Sequence, residues 1–334
     1  MSILRPRHLA LWICLVFSVA MLPTPSAEGA AANQKIVLTY ADFSERSGLL
    51  FVAKDQRFFE ERALEAEVVQ VRSGPIAISA LAAGDAHFYS GSATGAMIGA
   101  MAGGLDVVFI AGLINKLDGY FVVSPKIKTV ADLKSKTLGV QSVGGGIWTF
   151  TMTALDHWGL NPERDKIQFR VIGDGSVIAQ AIMAGIVDGA VLGYTFSKVV
   201  ERQGGRILAD LPKANIPYQL QGLLARKSFL DVSPEIVEKT LKALGKAIGF
   251  IQDRGNKPAV MRSLSKWLRL QQVEGDEELY ERMKILYNRP ITPTREGLQN
   301  ALRVLGRVNS KLRGLRVEDL VDDRIARKLE KEGF

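Results

Sequence analysis

Cysteine is almost absent from this chain of 334 residues, whose single cysteine is Cys14. Cys14 lies in an apolar run close to the start, so the rest of the chain can form no disulfide and has no cysteine nucleophile or metal ligand. Histidine is also scarce, with three residues, and the H-x-x-x-H spacing of a metal site does not occur. Thiol chemistry and histidine-bound metals are therefore excluded from the expected functions.

Long apolar runs are equally rare, because the only one is LALWICLVFSVAML at residues 9–22. It is shorter than the roughly 20 residues that a membrane span needs. Arg5 and Arg7 precede it, and the proline- and alanine-rich PTPSAEGAAA follows it, which is typical of a secretory signal peptide. We predict a signal peptide over residues 1–32, cut between Ala27 and Ala32, and export to the periplasm. The alternative is an uncleaved anchor helix.

Positive charge is in excess but is not concentrated in one segment. The formal net charge is +8, and it becomes +7 when Arg5, Arg7 and Glu28 are lost with the leader. Basic and acidic residues alternate, as in LEKEGF and EELYERMK, and no basic, aromatic-studded stretch occurs. The sequence therefore predicts a mixed, solvated surface and no nucleic-acid partner.

One unit of sequence occurs twice, about a hundred residues apart. VRSGPIAISALAAG at residues 71–84 can be aligned with VIGDGSVIAQAIMAG at residues 171–185, and an acidic residue and a second apolar run follow both. Around each unit, short β-rich runs alternate with segments of helical periodicity, which is typical of βαβ units and a parallel sheet. The last hundred residues are predicted to be almost wholly helical.

This pattern predicts two α/β lobes with a cleft between them. We expect residues 33–118 and 218–334 to form one lobe with the C-terminal helices, and residues 119–217 to form the other. Ligands of open α/β sheets bind beyond the carboxyl ends of the strands. The loops at those positions are rich in small residues and precede helices: DFSERSG, RSGP, SGSAT, SVGGG and GDGS. None of them is a nucleotide-binding loop, because no GK follows SVGGG and no GxGxxG frame fits.

These segments resemble the periplasmic substrate-binding proteins of ABC importers that handle nitrate, taurine, alkanesulfonates and thiamine-precursor pyrimidines. The resemblance covers nearly all of the chain after the leader and is carried by GLLFVAKDQRFFEERAL, ISALAAGDAHF, TVADLKSKTLGV, HWGLNPERDKIQFRVI, QAIMAGIVDGAV and RKSFLDVSPEIVEKTLKAL. It implies a type II periplasmic-binding-protein clamshell that captures one small organic molecule. It also implies delivery to an ABC permease and its ATPase by a monomer that has no cofactor and is not itself membrane-spanning after cleavage.

The resemblance places the ligand among the small-residue loops. The expected ligand-binding residues are Phe43, Ser44, Arg46, Ser73, Ser90, Ser92, Thr94, Ser142, Gly145, Gly146, Trp148, Asp174 and Tyr194.

Several of these residues have a structural alternative. Trp148 can pack against its own helix, Arg46 can pair with Glu45 at the surface, and Asp174 can cap the following helix. Tyr194, at the end of a strand, is better placed to reach the cleft. We interpret His87 and His157 as packing residues and Asp188 as a turn residue.

The ligand's charge is left open by the sequence. An anion would need cations, but the loops offer Arg46 and Arg72 against Asp42, Glu45 and Asp174, and the aromatic residues fit a flat heterocycle slightly better. The alternatives are a periplasmic ligand-sensing protein and an enzyme similar to thiamine-pyrimidine synthases. The resemblance gives those enzymes a cysteine-rich motif, which this chain lacks, so we predict a binding protein and no catalysis.

Overall fold

The computed structural model describes residues 33–270 and 276–334, and the predicted signal peptide at residues 1–32 lies outside the described residues. The strands are β1 Gln34–Tyr40, β2 Leu64–Gln70, β3 Phe88–Gly91, β4 Val107–Lys116, β5 Tyr120–Val123, β6 Thr137–Val140, β7 Gln168–Val171, β8 Gly189–Leu192, β9 Arg206–Asp210 and β10 Pro217–Arg226.

Helices fill most of the connections between these strands and most of the C-terminal region. They are α1 Gly48–Asp55, α2 Gly74–Ala83, α3 Gly95–Ala102, α4 Gly146–His157, α5 Gly175–Met183, α6 Tyr194–Arg202, α7 Leu211–Ala214, α8 Lys227–Val232, α9 Pro234–Gln252, α10 Lys257–Leu268, α11 Glu277–Leu286, α12 Arg295–Val308, α13 Val317–Leu320 and α14 Arg324–Lys331.

The strands form two five-stranded sheets. The first has the order β2-β1-β3-β10-β4, in which β1 is parallel to β2 and β3, whereas β10 is antiparallel to β3 and β4. The sequence predicted a parallel sheet, and this is wrong for β10. The chain reaches β10 directly from the second sheet, without a crossover helix of the kind that sets two strands parallel.

The second sheet repeats this topology. Its order is β7-β6-β8-β5-β9, with β6 parallel to β7 and β8, and β5 antiparallel to β8 and β9. Helix α2 follows β2 at one edge of the first sheet, and α5 follows β7 at the matching edge of the second. The repeated sequence unit therefore builds equivalent strand-to-helix turns in two equivalent sheets.

We call the first sheet with its helices the first lobe, and the second sheet with α4–α6 the second lobe. The C-terminal helices belong to the first lobe: α9 and α10 pack against α1, α12 packs against β10, and α14 packs against α9. Residues 33–334 form one compact unit. No helix within residues 33–270 and 276–334 has both the length and the apolar character of a membrane span.

Local structure departs from the sequence prediction around α1. The apolar spacing of SGLLFVAKDQRFFEERAL predicts one helix over residues 47–64. In the structure α1 ends at Asp55, and Arg57 and Ala63 adopt left-handed backbone angles (φ 60° and 55°). The turn buries Phe58 and Phe59 and brings the chain back into β2.

The segment TVADLKSK predicts a capping box formed by Thr129 and Asp132 at a helix start. This capping box is present, although it begins a 3-10 turn at Val130–Leu133.

Candidate functional site

An enclosed cavity lies between the two lobes at the carboxyl ends of their strands. The space open to the centre of a water-sized sphere is about 60 Å³, whereas one water needs about 10–15 Å³, so a compact molecule fits. The first lobe contributes Ala41, Asp42, Phe43, Ser44, Arg46, Gly74, Tyr89, Ser90, Gly91, Ser92, Thr94, Leu220 and Gln221 to its lining. The second lobe contributes Gln141, Gly146, Ile147, Phe150, Asp174, Gly175, Val191, Leu192, Gly193 and Phe196.

Most of the predicted site residues meet at this cavity. Those that line it are Phe43, Ser44, Arg46, Ser90, Ser92, Thr94, Gly146 and Asp174. They come from loops that follow β1, β3, β6 and β7, which are separate in sequence but converge where the two lobes face each other.

Three small predicted residues lie beside the cavity without lining it. Ser73 precedes α2, where the following Gly74 lines the wall instead. Ser142 and Gly145 belong to the loop between β6 and α4, whose ends supply the lining. The buried hydroxyl of Ser142 has no hydrogen-bond partner among the described residues. The predicted loops reach the cavity, but the residue that faces it within each loop depends on backbone geometry that sequence spacing does not give.

Trp148 packs within the second lobe, in keeping with the structural alternative to ligand contact that the sequence analysis gave. Its ring lies 5.9 Å from the ring of Phe169 and does not line the cavity. Phe150, two residues further along α4, lines it instead. Positions two apart on a helix point to different sides, so Trp148 and Phe150 cannot share one wall. The hydroxyls of Thr149 and Thr153 donate to carbonyls four residues earlier, so these buried polar groups have partners within α4.

Tyr194 was expected to contact the ligand, but its side chain is buried outside the cavity and does not line it. Its ring centroid lies 5.9 Å from the guanidinium carbon of Arg282, and its hydroxyl lies 3.4 Å from Asp276 Oδ1. The ring is directed toward α11 because Tyr194 opens α6, and only its backbone faces the loop after β1. A strand-end position predicted proximity to the cleft but not the direction of the side chain.

Among the described residues of the cavity wall, Arg46 is the one guanidinium. Its charge is paired with the carboxylates of Asp118 and Asp42. Its Nε lies 3.4 Å from Asp118 Oδ2, its Nη2 donates to the Asp118 carbonyl at 3.1 Å, and its Nη1 lies 3.8 Å from Asp42 Oδ2. Arg282 also contacts the buried carboxylate of Asp118. The sequence offered surface pairing with Glu45 as the alternative to ligand contact; Arg46 instead belongs to a buried cluster around Asp118.

Negative charge is in excess in this cluster. Burial lowers the pKa of Arg46, but the carboxylates of Asp42, Asp118 and Glu45 outweigh it and raise that pKa above its ordinary value. Burial raises the pKa of Asp42, an effect that Arg46 only partly opposes. The raised pKa of Arg46 thus follows from the carboxylates around it, and the raised pKa of Asp42 follows mainly from burial.

Glu45 joins the two lobes. Its side chain is fully buried, and its carboxylate accepts from the backbone N–H of Tyr194 at 2.6 Å and from the Thr195 hydroxyl at 3.0 Å. These groups form the first turn of α6, where unpaired N–H groups and the helix dipole favour an anion. Gly193 permits the approach, since a Cβ there would lie 2.9 Å from Glu45 Oε1. A first-lobe carboxylate thus caps a second-lobe helix.

Further hydrogen bonds hold the lobes together around the cavity. Gln141 of the second lobe donates to the carbonyl of Arg72 at 2.7 Å. The N–H of Gly95, at the start of α3, donates to the hydroxyl of Thr149 at 3.2 Å. The rings of Phe43 and Phe196 stack across the interface with centroids 6.2 Å apart. The structure is therefore a closed arrangement of the lobes.

Several side chains of the lining were not among the predicted site residues. They include Asp42, Tyr89, Gln141, Phe196 and Gln221. Asp42 and Phe196 stood next to predicted positions and could have been found by considering every residue of the loops. Gln221 carried no such signal, because its strand β10 was not recognised.

His87 and Asp188 have the structural roles that the sequence predicted, whereas the prediction that His157 packs is wrong, because this residue is exposed at the end of α4. His87 Nδ1 accepts from the N–H of Val37 at 3.0 Å, and burial lowers the pKa of His87. His157 ends α4 and does not line the cavity, and Asp188 accepts from the N–H of Thr137 at 2.8 Å. Within the described ranges, no group of three or more His, Cys, Asp or Glu side chains is arranged to hold a metal ion.

Similarity to known proteins agrees with this architecture. Residues 46–256 match the family model described as NMT1/THI5 like, which is more than half of the chain, and the chain belongs to this family. Comparison with curated protein sequences gives no match.

Solved structures share the fold at low sequence identity. A Bordetella bronchiseptica protein superposes with a TM-score of 0.73 at 19% identity, covering 90% of this chain and 98% of that one. The periplasmic aliphatic sulphonate binding protein SsuA of Escherichia coli gives 0.70 at 19%, covering 86% and 92%. The periplasmic nitrate-binding protein NrtA of Synechocystis gives 0.70 at 14%, covering 90% and 89%. The predicted periplasmic-binding-protein clamshell and the family resemblance are confirmed.

Proposed function

We propose that this chain is an exported solute-binding protein that captures one small organic molecule between its lobes and delivers it to an ABC importer. The observation that carries the proposal is the cavity, whose walls come from both lobes and meet through interlobe hydrogen bonds. A molecule held there contacts both lobes at once, so it stabilises the closed form relative to any open one.

The proposed binding residues are the predicted ones that line the cavity together with those that the sequence missed. Ser90, Ser92 and Thr94 provide hydroxyl groups on the first lobe, and Phe43 and Phe196 provide apolar walls from opposite lobes. This combination of apolar surface with a few placed polar groups is typical of small-molecule sites.

Catalysis is not part of the proposal. Among the described residues of the cavity lining there is no cysteine, histidine or lysine. Its ionisable groups other than Tyr89 are Asp42, Arg46 and Asp174, and Arg46 is held by Asp118 while Asp174 caps α5. The hydroxyl of Ser44 donates to Asp42 Oδ2 at 2.7 Å, but among the described residues of the lining no histidine or lysine lies beside it to act as the base that activates a nucleophile.

The proposed partners and cellular location rest on analogy with proteins of the same fold. The E. coli and Synechocystis proteins of this fold are named as periplasmic binding proteins, and another, from Staphylococcus aureus, is named as the ligand-binding component of an ABC-type import system. By this analogy the chain acts as a monomer in the periplasm, after removal of residues 1–32, and presents its closed form to a permease and ATPase. The lobes move as residues 33–118 with 218–334, and residues 119–217.

Thermal unfolding of residues 33–334 against a panel of amino acids, sulfonates, nitrate, pyrimidines and flavins tests the proposal. A ligand at a hundredfold excess over its Kd stabilises the folded state by about 2.7 kcal/mol, which is a measurable shift in Tm. The shift should be lost in Phe196→Ala and kept in Phe229→Ala, which shortens a phenylalanine packed on His87, away from the cavity. No shift with any class of compound, or equal shifts in both variants, would contradict a ligand site between the lobes.

A further inference from the structure

We propose that the ligand presents N–H donors, from a cationic or neutral nitrogen group, to the carboxylate of Asp42 and the side-chain oxygen of Gln221. Acceptor-only anions such as nitrate and simple sulfonates are then not the natural ligands. This inference rests on the proposed function and names the chemistry of the molecule bound in the same cavity.

Asp42 is the more exposed of the two acceptors. It follows β1, its side chain is 40% exposed, and it lines the cavity. Its Oδ2 accepts from the hydroxyl of Ser44 at 2.7 Å and lies 3.8 Å from Arg46 Nη1. No donor among the described residues contacts its Oδ1. One oxygen of this carboxylate is thus available to a ligand.

Gln221 supplies the second acceptor. It is 4% exposed and lies on β10, two strands away from β1 in the same sheet. Its Nε2 donates to the hydroxyl of Ser90 at 2.7 Å, which directs its Oε1 away from Ser90. That Oε1 is buried and has no hydrogen-bond partner among the described residues. A buried acceptor without a partner destabilises the protein unless a ligand or water donates to it.

Among the described residues of the lining, an anion finds no cation without a carboxylate beside it. These residues include two carboxylates, Asp42 and Asp174, and one guanidinium, Arg46, for a net charge of −1. The Nε and Nη2 of Arg46 are directed at Asp118, and its Nη1 lies 3.8 Å from Asp42 Oδ2. A solute with negative charge would therefore meet a field of its own sign inside a site of low dielectric constant, where repulsion is strong.

The helix starts around the cavity do not reverse this balance. Glu45 occupies the start of α6, Asp174 accepts from the first turn of α5, and Thr94 and Thr149 accept from the first turn of α3. Helices α2 and α4 have no side-chain cap. A helix start carries a partial charge of about +0.5, which is suited to a neutral carbonyl of the ligand and is smaller than the full charge on Asp42.

The test uses planar compounds of matched shape that differ in charge and donors. Benzamidine, benzamide, benzoate and benzenesulfonate, with guanidinium and nitrate as smaller members, are titrated at millimolar concentration into residues 33–334 by calorimetry and thermal unfolding. We expect binding by the amidinium and the amide, and none by benzoate, benzenesulfonate or nitrate.

Asp42→Asn separates charge recognition from a structural effect. It should weaken amidinium binding about tenfold or more, weaken amide binding less, and leave the circular dichroism spectrum unchanged. The matched control is Asp231→Asn, at an exposed carboxylate paired with Arg324 outside the cavity, which should change neither affinity. If Asp42→Asn does not fold, Gln221→Leu is used, and it should weaken both donor probes.

Tight binding of an acceptor-only anion that Phe196→Ala abolishes would overturn the inference while supporting the proposed function. Failure of all donor probes would also overturn it. The proposed function would still stand if another compound of the wider panel binds in the cavity. Equal losses of amidinium and amide binding in Asp42→Asn would contradict a charged contact.

Discussion

The two lobes share one strand order but contribute different chemistry to the cavity between them. The first lobe lines it largely with polar side chains: Asp42, Ser44, Arg46, Ser90, Ser92, Thr94 and Gln221. The second lobe lines it mainly with glycine and apolar residues: Gly146, Ile147, Phe150, Gly175, Val191, Leu192, Gly193 and Phe196. The repeated topology fixes where loops converge, and the residues within each loop decide what the lobe does there.

This difference indicates a division of work. We propose that the first lobe recognises the ligand through hydrogen bonds and that the second lobe covers it and excludes water. Equivalent loops illustrate the point. Ser90 lies near the end of β3 and Ser92 follows that strand, so both present hydroxyl groups. Gly193 follows β8 and lets Glu45 of the first lobe reach α6. If this division holds, three sets of charged groups have different roles. One set lies in the connection between the lobes, one holds the lobes closed, and one contacts the ligand.

The largest effect is expected at Asp118, which lies between β4 and β5 in the connection between the lobes. Replacing it with alanine leaves Arg46 and Arg282 buried without their shared carboxylate, and breaking a buried pair costs about 3–5 kcal/mol. Urea unfolding measures the loss. Asp231→Ala, at an exposed carboxylate paired with Arg324, should cost about 1 kcal/mol or less, and equal losses in both variants would refute the role of the cluster.

Glu45→Ala should affect closure more than recognition. It removes charge-assisted hydrogen bonds to the first turn of α6, worth about 1.5–3 kcal/mol, from the closed form. Since ligand binding requires closure, affinity should fall about tenfold or more for every ligand, as measured by calorimetry. Glu61→Ala, which breaks a surface pair with Lys246, serves as the control. Unchanged affinity in Glu45→Ala would contradict the interlobe role of this carboxylate.

Asp174 in the second lobe should behave as a helix cap and not as a recognition residue. Its Oδ1 accepts from the N–H of Ser176 at 2.9 Å, so Asp174→Ala should lower the free energy of unfolding by about 1 kcal/mol. Asp174→Asn keeps the cap and should leave stability unchanged in urea unfolding. If Asp174→Asn changed the preference between amidinium and carboxylate probes, Asp174 would contact the ligand as Asp42 is proposed to do, and the prediction would be contradicted.

The smallest effect concerns the pH dependence of Asp42. Burial raises its pKa in the folded state above 3.8, so its favourable contribution to stability is complete below 3.8 and is lost as the pH rises through the raised pKa. Binding of an N–H donor follows the opposite trend, because the ionised carboxylate is the acceptor. Tm measured against pH, with and without benzamidine, should show both trends in the natural sequence and neither in Asp42→Asn. Identical profiles of Tm against pH in the natural sequence and in Asp42→Asn would contradict the assignment of this pH dependence to Asp42.

The sequence predicted those parts of the molecule that depend on local pattern. The repeated units became α2 and α5 in matching positions, and the loops rich in small residues converged on the cavity. Strand β10 was missed because its pairing is decided by the return of the chain from the second lobe and not by its own periodicity. Gln221 was missed with it.

Side-chain direction was the second limit. Trp148 and Tyr194 were placed on the correct elements, yet both rings face away from the cavity. The pairing of Arg46 with Asp118, 72 residues later in sequence, could not be predicted because it depends on the crossover between lobes. Such long-range ion pairs leave no mark in local composition.

The most direct test of the account is the distance between the lobes with and without ligand. Because Cys14 is the only cysteine, residues 33–334 can carry spin labels at Ile76→Cys and Val143→Cys alone. These exposed positions lie near the cavity on opposite lobes (47% and 67% exposed). We expect a longer or broader distance distribution without ligand and a single short distance with it. The same distribution in both states, for a compound that binds, would contradict capture by closure of the two lobes.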